Sequence, residues 1–425
     1  MKTFASKRFA ALMMLIFALF AVQAGVAQAL PKSTPAESGL SAEKLDKIMQ
    51  MLREDTAKNM VPGAVLLVAR HGKVAYFESA GVLDPGTKAP MTNDAIFRIY
   101  SMSKPITSVA AMTLFEQGKL SLSDPVSKYI PAFEHMKLIV TKKDAAGATT
   151  TELVDATRQI TIEDLMRHTS GITYGFFGAG PGKKAYNDAG VLAGDYTNAE
   201  FAERIAKLPL SYQPGTTWDY SHSTDILGRV VEVVSGKTLY EIDKQRILDP
   251  LGMIDTGFYV TDAAKHPRIA EPFPNDRTIG TGAAFGDPRV AGKWESGGGG
   301  MMSTATDYAR FLQMMLNGGT LNGKRIITAK TVALMTSDHT EGITPGPYYL
   351  PGAGYGFGLG FAVRKSAGAE GDSSVGEYNW NGVGGTNFWV DPKQDMFVVF
   401  MIQSPKQRPH YMSVIRKMVY AAVEK

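Results

Sequence analysis

The sequence predicts an α/β protein of the α+β type, in which helices from the two ends of the chain flank one antiparallel β-sheet. Three observations support this fold class. Strand patterns lie near both ends of the chain, a helical pattern lies outside them at each end, and a long middle part combines helical patterns with Gly- and Pro-rich connections. The two groups of strands can therefore share one sheet, and the middle part then forms an inserted, mostly helical domain.

The N-terminal part of the sheet follows a helix. Ser41 begins this helix, and the apolar residues between Leu45 and Leu52 recur at helical spacing. Residues 64–69 have the uniform hydrophobicity of a buried strand, residues 70–72 are typical of a tight turn, and residues 73–79 form a second strand pattern. These segments predict a helix followed by a β-hairpin.

The C-terminal part supplies further strands and a closing helix. Segments rich in aromatic and β-branched residues predict strands at residues 355–363, 377–382, 387–390 and 396–402. The last periodic segment, residues 411–423, predicts the closing helix. Between the two ends, helical patterns occur at residues 161–167, 198–207 and 225–235.

The domain boundaries follow from this distribution of patterns. We assign residues 30–124 and 295–425 to a discontinuous α/β sheet domain, and residues 125–294 to a mostly helical domain against one edge of the sheet. A crevice between two such domains is a favoured place for a functional site.

Residues 1–29 have the three parts of a secretory signal peptide. A basic start is followed by an apolar run from Phe9 to Val22 and by a small-x-small cleavage pattern that ends at Ala29. We therefore expect cleavage after Ala29, a periplasmic or secreted protein, and no stable membrane span after cleavage. A membrane anchor is the alternative, although the apolar run is short for a span of about 20 residues.

The composition excludes several classes of function. The 425 residues include no cysteine, which excludes disulfides, a cysteine-ligated metal and a cysteine nucleophile. The net charge of +4 falls to +1 when the three cations of the signal peptide, Lys2, Lys7 and Arg8, are left out. Because a nucleic-acid-binding surface needs clustered, uncompensated cations, we expect no nucleic-acid partner. The spacing of the seven histidines predicts no metal site, and we expect no cofactor.

A Ser-x-x-Lys sequence at Ser101 and Lys104 is the most informative motif. It lies at the start of a helical pattern, where residues three apart share a face, so the Lys104 amine can reach the Ser101 hydroxyl and act as its base. Amide groups at the helix start can hold an oxyanion. A second copy, at Ser41 and Lys44, is explained by an N-capping serine on an ordinary helix.

The segment from Phe97 to Pro105 resembles the nucleophile segment of the serine β-lactamase and penicillin-binding-protein superfamily. It is most similar to the branch of class C β-lactamases and family VIII carboxylesterases. The resemblance implies a β-lactamase/transpeptidase-like fold and an acyl-enzyme on Ser101. Tyr220 matches the tyrosine of the family's Tyr-x-Asn motif, which assists proton transfer. His222 stands where β-lactamases have asparagine, and this departure favours family VIII esterases.

A third motif, Trp380-Asn381-Gly382, resembles the Trp-Gly-Gly variant of family VIII esterases. Tryptophan at this place offers an apolar wall where β-lactamases have a lysine that recognises a carboxylate, so we expect a neutral ester as substrate. The resemblance also implies that the backbone N–H groups of Ser101 and Val383 form the oxyanion hole. We further expect Trp380, Asn381, Gly382, His222 and Tyr174 to bind substrate. Two interpretations of Tyr174 and its aromatic neighbours stay open, a lid over the acyl pocket and a self-packed surface loop.

These expectations together predict an exported serine hydrolase. The favoured activity is that of a carboxylesterase on short- to medium-chain acyl esters, so the expected partner is a small-molecule ester or amide substrate. One alternative is a β-lactamase or D-amino-acid peptidase or amidase that uses the same Ser/Lys/Tyr site. A second alternative is a non-catalytic, peptidoglycan-binding relative. The sequence leaves the oligomeric state open.

Overall fold

The computed structural model describes residues 29–145, 147–276, 287–367 and 373–424, so the predicted signal peptide lies outside the described residues except for Ala29. The described residues form a mixed α/β fold around one antiparallel sheet, as the sequence predicts. In spatial order its seven strands are Tyr355–Phe357, Ala362–Arg364, Tyr378–Asn381, Asn387–Asp391, Met396–Ile402, Gly63–Arg70 and Lys73–Gly81.

The central pair of strands joins the two ends of the chain. Gly63–Arg70 pairs with Met396–Ile402 in a register that runs from Ala64 opposite Ile402 to Arg70 opposite Met396. Alternate residues of both strands belong to two separate hydrophobic cores, one on each face of the sheet. Both faces are covered, which explains why these strands are uniformly apolar rather than alternating.

Helices cover both faces of the sheet. The first and last helices pack together on one face, and on the other face lie a helix from Ala305 to Leu316 and the helix that follows Ser101. The helices are Ala42–Ala57, Ser103–Glu116, Ile162–Met166, Pro181–Asp188, Asn198–Ala206, Ser223–Ser235, Leu239–Asp243, Asp249–Leu251, Ala305–Leu316, Ala329–Met335 and Arg408–Ala422, with a π-helical segment Lys244–Leu248. In the described ranges, no helix combines the length and hydropathy that a bilayer crossing needs.

Short strands and 3₁₀ turns connect these elements. The paired short strands are Phe97–Arg98 with Met302–Ser303, Lys137–Lys143 with Thr149–Asp155, Thr217–Trp218 with Thr344–Pro345, and Thr320–Leu321 with Lys324–Arg325. The 3₁₀ turns are Ala36–Ser38, Tyr100–Met102, Val126–Lys128, Pro131–Phe133, Ala263–Arg268 and Pro405–Gln407.

One strand prediction is wrong in detail. The segment predicted as a single strand over residues 355–363 is two short antiparallel strands joined by a tight turn, in which the Gly358 N–H donates to the Phe361 carbonyl. Gly360 has a φ of +101°, and a Cβ atom there would lie 2.5 Å from the Ser108 hydroxyl oxygen. This close approach needs glycine, and the chain reverses where its aromatic content predicts continuation.

A carboxyl group is buried in the helical part without a hydrogen bond. Both side-chain oxygens of Asp243, in the helix Leu239–Asp243, have no partner among the described residues. Burial raises the pKa of Asp243 well above its usual value, and the nearby charge of Glu295 acts in the same direction. The folded protein therefore keeps this carboxyl protonated at pH values at which the unfolded chain ionises it.

We expect Asp243→Asn to stabilise the protein at pH 8 but not at pH 4. Above about pH 4 the unfolded Asp243 ionises, so the wild-type fold loses stability as the pH rises towards the raised folded pKa, whereas the asparagine variant does not. The expected gain at pH 8 comes from this proton linkage and is about 1.4 kcal/mol for each pH unit, up to pH 8, by which the folded pKa of Asp243 exceeds the unfolded one. Urea unfolding of both proteins between pH 4 and pH 8 measures it, and parallel stability curves contradict the prediction.

Candidate active site

The residue before Ser101 has an unusual backbone conformation. Tyr100 has a φ of 46°, in the left-handed region, and it begins the 3₁₀ turn that leads into the helix Ser103–Glu116. Its ring lies against Gly384, where a Cβ atom would come within 2.6 Å of the ring. A non-glycine residue in this region stores strain, and such residues cluster at functional sites. The strained turn holds Ser101 at the edge of a pocket that it helps to line.

Lys104 is buried and contacts Ser101. Its Nζ atom donates to the Ser101 hydroxyl at 3.3 Å, to the Gly298 carbonyl at 2.7 Å and to the Tyr174 hydroxyl at 3.3 Å. Only 1% of the residue is exposed, so these protein groups replace water around the amine. The structure therefore brings together the serine and lysine that the motif spacing pairs.

Gly298, whose carbonyl accepts from Lys104, is itself held by Asp225 through its N–H group. The Asp225 carboxylate accepts hydrogen bonds from the Ser296 hydroxyl at 2.6 Å and the Gly298 N–H at 3.1 Å, and it lies 3.2 Å from Nδ1 of His222. A Cβ atom at Gly298 would lie 2.8 Å from this carboxylate, so the close approach needs glycine. Burial raises the pKa of Asp225, but the hydrogen bonds outweigh it and hold the pKa below its usual range.

Tyr220 contacts the amine through its ring rather than its hydroxyl. The Lys104 Nζ atom lies 4.5 Å from the centre of the Tyr220 ring, and the Tyr220 hydroxyl accepts a hydrogen bond from the Trp380 indole at 3.2 Å. The phenol that contacts the amine is that of Tyr174, whose ring centre lies 5.3 Å from that of Tyr220. Sequence reasoning assigned Tyr174 only to substrate binding, and its motif carried no signal of this contact.

Two phenols thus lie beside one amine, and their environments differ. Burial raises the pKa of Tyr174 well above its usual value, and the negative charges that Tyr220 and Asp225 can carry add to the effect. Tyr174 therefore stays protonated, and its oxygen accepts a hydrogen bond from Lys104. Both phenols line the pocket, but only the Tyr174 hydroxyl accepts from Lys104 in the described structure, which fits a positioning role for Tyr174.

We expect Tyr220→Phe to lower kcat by about 10²- to 10⁴-fold, the usual contribution of a positioned proton-transfer group. Tyr174→Phe removes one of three hydrogen-bond partners of Lys104, so we expect a smaller loss of roughly tenfold. Steady-state kinetics on one chromogenic ester compare the two variants. A larger loss in Tyr174→Phe than in Tyr220→Phe would assign proton transfer to Tyr174 instead.

The pocket beside Ser101 is small and mainly aromatic. Its volume is about 60 Å³, and its walls include Tyr174, Phe176, Phe177, Leu192, Trp294 and Trp380. Phe176 and Phe177 pack on the Tyr174 ring, with ring centres 4.9 and 6.0 Å from it. The aromatic segment around Tyr174 therefore packs on itself and also forms part of the pocket wall.

The residues of the Trp-Asn-Gly motif do not all lie at the pocket wall. Trp380, Asn381 and Val383 line the pocket, but Gly382 lies against the Ile99 carbonyl, where a Cβ atom would come within 2.4 Å of the oxygen. Gly382 thus packs behind the nucleophile turn rather than at the pocket wall. In the turn that follows, the Gly385 N–H donates to the Gly382 carbonyl. The Val383 N–H, which lies inside the same turn, takes no part in this hydrogen bond.

A cation that the sequence reasoning missed lies beside Trp380. Arg408, at the start of the closing helix, donates to the Asn381 side-chain oxygen at 3.1 Å and forms no ion pair with a carboxylate in the described part of the chain. It lines both the pocket and an outer cavity of about 310 Å³. Burial lowers the pKa of this guanidinium. The expected apolar wall at Trp380 is therefore bordered by a positive charge, which no motif indicated.

Histidines and acids near the site do not suggest a metal centre. In the residues with described placement, no group of three or more His, Asp or Glu side chains is arranged to hold a metal ion. His168 is buried and lies 3.3 Å from the Ser221 hydroxyl through Nδ1, and its ring packs 4.8 Å from that of Tyr220. This burial among side chains fits a structural role for His168.

A serine and a buried lysine in contact, at the edge of a small pocket between a sheet and helices, define a serine hydrolase of the β-lactamase and penicillin-binding-protein type. The family profile named Beta-lactamase matches residues 48–418. The chain belongs to this family.

Relatives and solved structures agree with this assignment. The chain is 35% identical to the protein Rv1367c of Mycobacterium tuberculosis over 84% of this chain and 90% of that protein. It is 31% identical to the esterase EstB of Burkholderia gladioli, over 87% of this chain and 92% of EstB. The chain is also similar to the solved structure of EstCE1, a hydrolase with promiscuous acyltransferase activity. The two sequences are 29% identical, and the match covers 89% of this chain and 99% of the EstCE1 chain, with a TM-score of 0.73.

Proposed function

We propose that this serine hydrolase is a carboxylesterase that forms an acyl-enzyme on Ser101 from short acyl esters. The observation that carries the proposal is the 3.3 Å contact between the Lys104 amine and the Ser101 hydroxyl at the edge of the aromatic pocket. The similarity to the Burkholderia esterase supports ester substrates. The small volume of the pocket, about 60 Å³, favours a short acyl chain.

The proposed mechanism has two half-reactions. The Ser101 oxygen attacks the ester carbonyl while its proton passes to Lys104, which must be unprotonated at this step to accept it, and the N–H groups of Ser101 and Val383 hold the oxyanion. The oxyanion collapses, the C–O bond to the alcohol breaks, and Tyr220 or Lys104 returns a proton to the leaving alcohol. Water then attacks the acyl-enzyme with the same groups, which releases the acid and regenerates the Ser101 hydroxyl.

A panel of substrates tests the proposal. We expect p-nitrophenyl acetate and butyrate to be cleaved faster than p-nitrophenyl octanoate, and far faster than a chromogenic cephalosporin or a D-alanyl-D-alanine peptide. A fluorophosphonate probe should label Ser101. Faster turnover of the cephalosporin would reverse the choice of substrate, and a folded protein that the probe does not label would indicate a binding protein without turnover.

Arg408 supports a second candidate function, the hydrolysis of β-lactams or D-amino-acid peptides. These substrates carry a carboxylate, and the guanidinium beside Trp380 has no carboxylate partner among the described residues. We expect Arg408→Met to lower kcat/KM for a cephalosporin by roughly 10- to 100-fold, the loss of a charged hydrogen bond, and to affect p-nitrophenyl butyrate much less. Equal losses on both substrates contradict carboxylate recognition by Arg408.

We also infer that the enzyme is exported. The three-part pattern of residues 1–29 supports this inference, and residues 1–28 lie outside the described structure. Expression of the full chain in a Gram-negative bacterium, followed by fractionation and mass measurement, tests it. The expected result is a periplasmic or secreted protein that begins at Leu30, and an uncleaved cytosolic protein would reject it.

A further inference from the structure

One polar atom in the wall of the active-site pocket has no partner in the described structure. The Nε2 atom of His222 is fully buried, and none of the described residues forms a hydrogen bond with it. His222 lines the pocket together with Tyr174 and Trp294. Buried polar atoms in folded proteins are almost always paired. An unpaired atom in the wall of a ligand pocket therefore points to a group of the ligand.

The surroundings of His222 determine which nitrogen carries the hydrogen. Asp225 is ionised, because its hydrogen bonds hold its pKa below the usual range, so its oxygens can only accept. The Nδ1 atom of His222, 3.2 Å from this carboxylate, therefore carries the hydrogen. Nε2 is left with a lone pair and can accept one hydrogen bond.

The imidazole also stays neutral inside its aromatic surroundings. Burial lowers the pKa of His222, and this effect outweighs the neighbouring Asp225, which raises it. The rings of Tyr174 and Phe201 pack edge-on against the imidazole, with ring centres 4.2 and 5.2 Å away. Nε2 is thus a neutral acceptor in the pocket wall, and it discriminates between ligands because one without a donor leaves it desolvated and unpaired.

His222 lies at the acyl end of the pocket. The residues that the pocket shares with the larger outer cavity are Leu350, Trp380, Asn381 and Arg408, and His222 is not among them. Ser101 also lines the inner pocket and not the outer cavity. Because the acyl group stays bonded to Ser101, we place it in the inner pocket beside His222, and we place the leaving alcohol towards the outer cavity.

Building on the proposed carboxylesterase function, we propose that the enzyme prefers esters of short hydroxy acids, whose acyl hydroxyl donates a hydrogen bond to Nε2 of His222. The small volume of the pocket, about 60 Å³, favours a short acyl group. The 3-hydroxybutyryl group is short and carries the required donor.

Pairs of esters that differ only by a hydroxyl in place of a methyl group test the proposal. The pairs are p-nitrophenyl 3-hydroxybutyrate with p-nitrophenyl isovalerate, and p-nitrophenyl lactate with p-nitrophenyl isobutyrate. Because the two members of a pair have nearly the same size, the ratio of their kcat/KM values isolates the hydroxyl. We expect the wild-type enzyme to prefer the hydroxy ester by roughly 5- to 10-fold in at least one pair.

Two variants assign the preference to His222. His222→Asn keeps an N–H donor for Asp225 but removes the acceptor at Nε2, so we expect the ratio to fall to about one. Tyr186→Phe is the matched control, because Tyr186 stacks on the same imidazole, with ring centres 6.4 Å apart, and does not line the pocket. It should keep the wild-type ratio. A ratio near one in both wild-type pairs overturns the proposal, and so does a preference that survives in His222→Asn.

A binding measurement separates this proposal from the proposed esterase function. In Ser101→Ala, which cannot form an acyl-enzyme, methyl 3-hydroxybutyrate should shift the ¹⁵N resonance of His222 Nε2 upfield, and methyl isovalerate should not. If no ester is turned over, the esterase function fails, but this shift still supports the hydroxyl site. The absence of a shift at saturating methyl 3-hydroxybutyrate overturns the hydroxyl site.

Discussion

Replacement of Ser101 by alanine should lower kcat/KM for p-nitrophenyl butyrate by at least about 10⁴-fold, because loss of the attacking oxygen removes the acyl-enzyme route altogether. The variant should also lose labelling by a fluorophosphonate. The hydroxyl makes no other hydrogen bond than that with Lys104 among the described residues, so the fold should be retained. Circular dichroism and the unfolding midpoint check that it is.

The chain offers a matched control in its second Ser-x-x-Lys sequence. The Ser41 hydroxyl caps the helix Ala42–Ala57 by accepting a hydrogen bond from the Lys44 N–H. Ser41→Ala should therefore cost about 1 kcal/mol of stability and leave esterase activity intact. Substantial activity in Ser101→Ala would exclude Ser101 as the nucleophile.

Replacement of Lys104 by methionine should lower kcat by about 10²- to 10⁴-fold, the range for a positioned proton-transfer group. Methionine keeps the apolar length of the side chain but removes the amine that contacts Ser101, Tyr174 and Gly298. The serine then has no base in contact, so acylation should become the slow step. Pre-steady-state kinetics should show the burst of p-nitrophenol decrease or disappear.

A second variant tests whether misfolding explains the loss of activity in Lys104→Met. Lys104→Arg puts a guanidinium that stays protonated in place of the amine. It can still donate to the Gly298 carbonyl, so it should fold, but it should be nearly as inactive as the methionine variant. Near wild-type activity in Lys104→Arg would show that a charge, rather than a proton acceptor, is needed at this position.

Periodicity and turn signals were sufficient to predict most of the fold. The helices Ile162–Met166 and Asn198–Ala206 lie within the predicted segments and begin at capping boxes, whose N-cap residues are Thr161 and Thr197. The central strands were predictable because both of their faces are buried, which makes them uniformly apolar. The segment 355–363 was not, because its division depends on a contact between Gly360 and a helix far away in the sequence.

The site was predictable only where its chemistry lies within a short motif. The spacing of Ser101 and Lys104 places them one helical turn apart, so local geometry alone brings them together. The contact of Tyr174 with Lys104 and the presence of Arg408 beside Trp380 depend on the packing of separate elements. No local spacing encodes such contacts, so sequence reasoning could not locate the second phenol or the additional cation.

The pairing of Gly63–Arg70 with Met396–Ile402 also affects how the chain folds during its synthesis. At roughly 5–20 residues per second, the early strand waits for tens of seconds before its partner is synthesised. Until then, one long apolar edge stays open to chaperones and to self-association. Translation fragments that stop short of Met396–Ile402 should therefore be protease-sensitive, because Gly63–Arg70 has no partner on that edge in them.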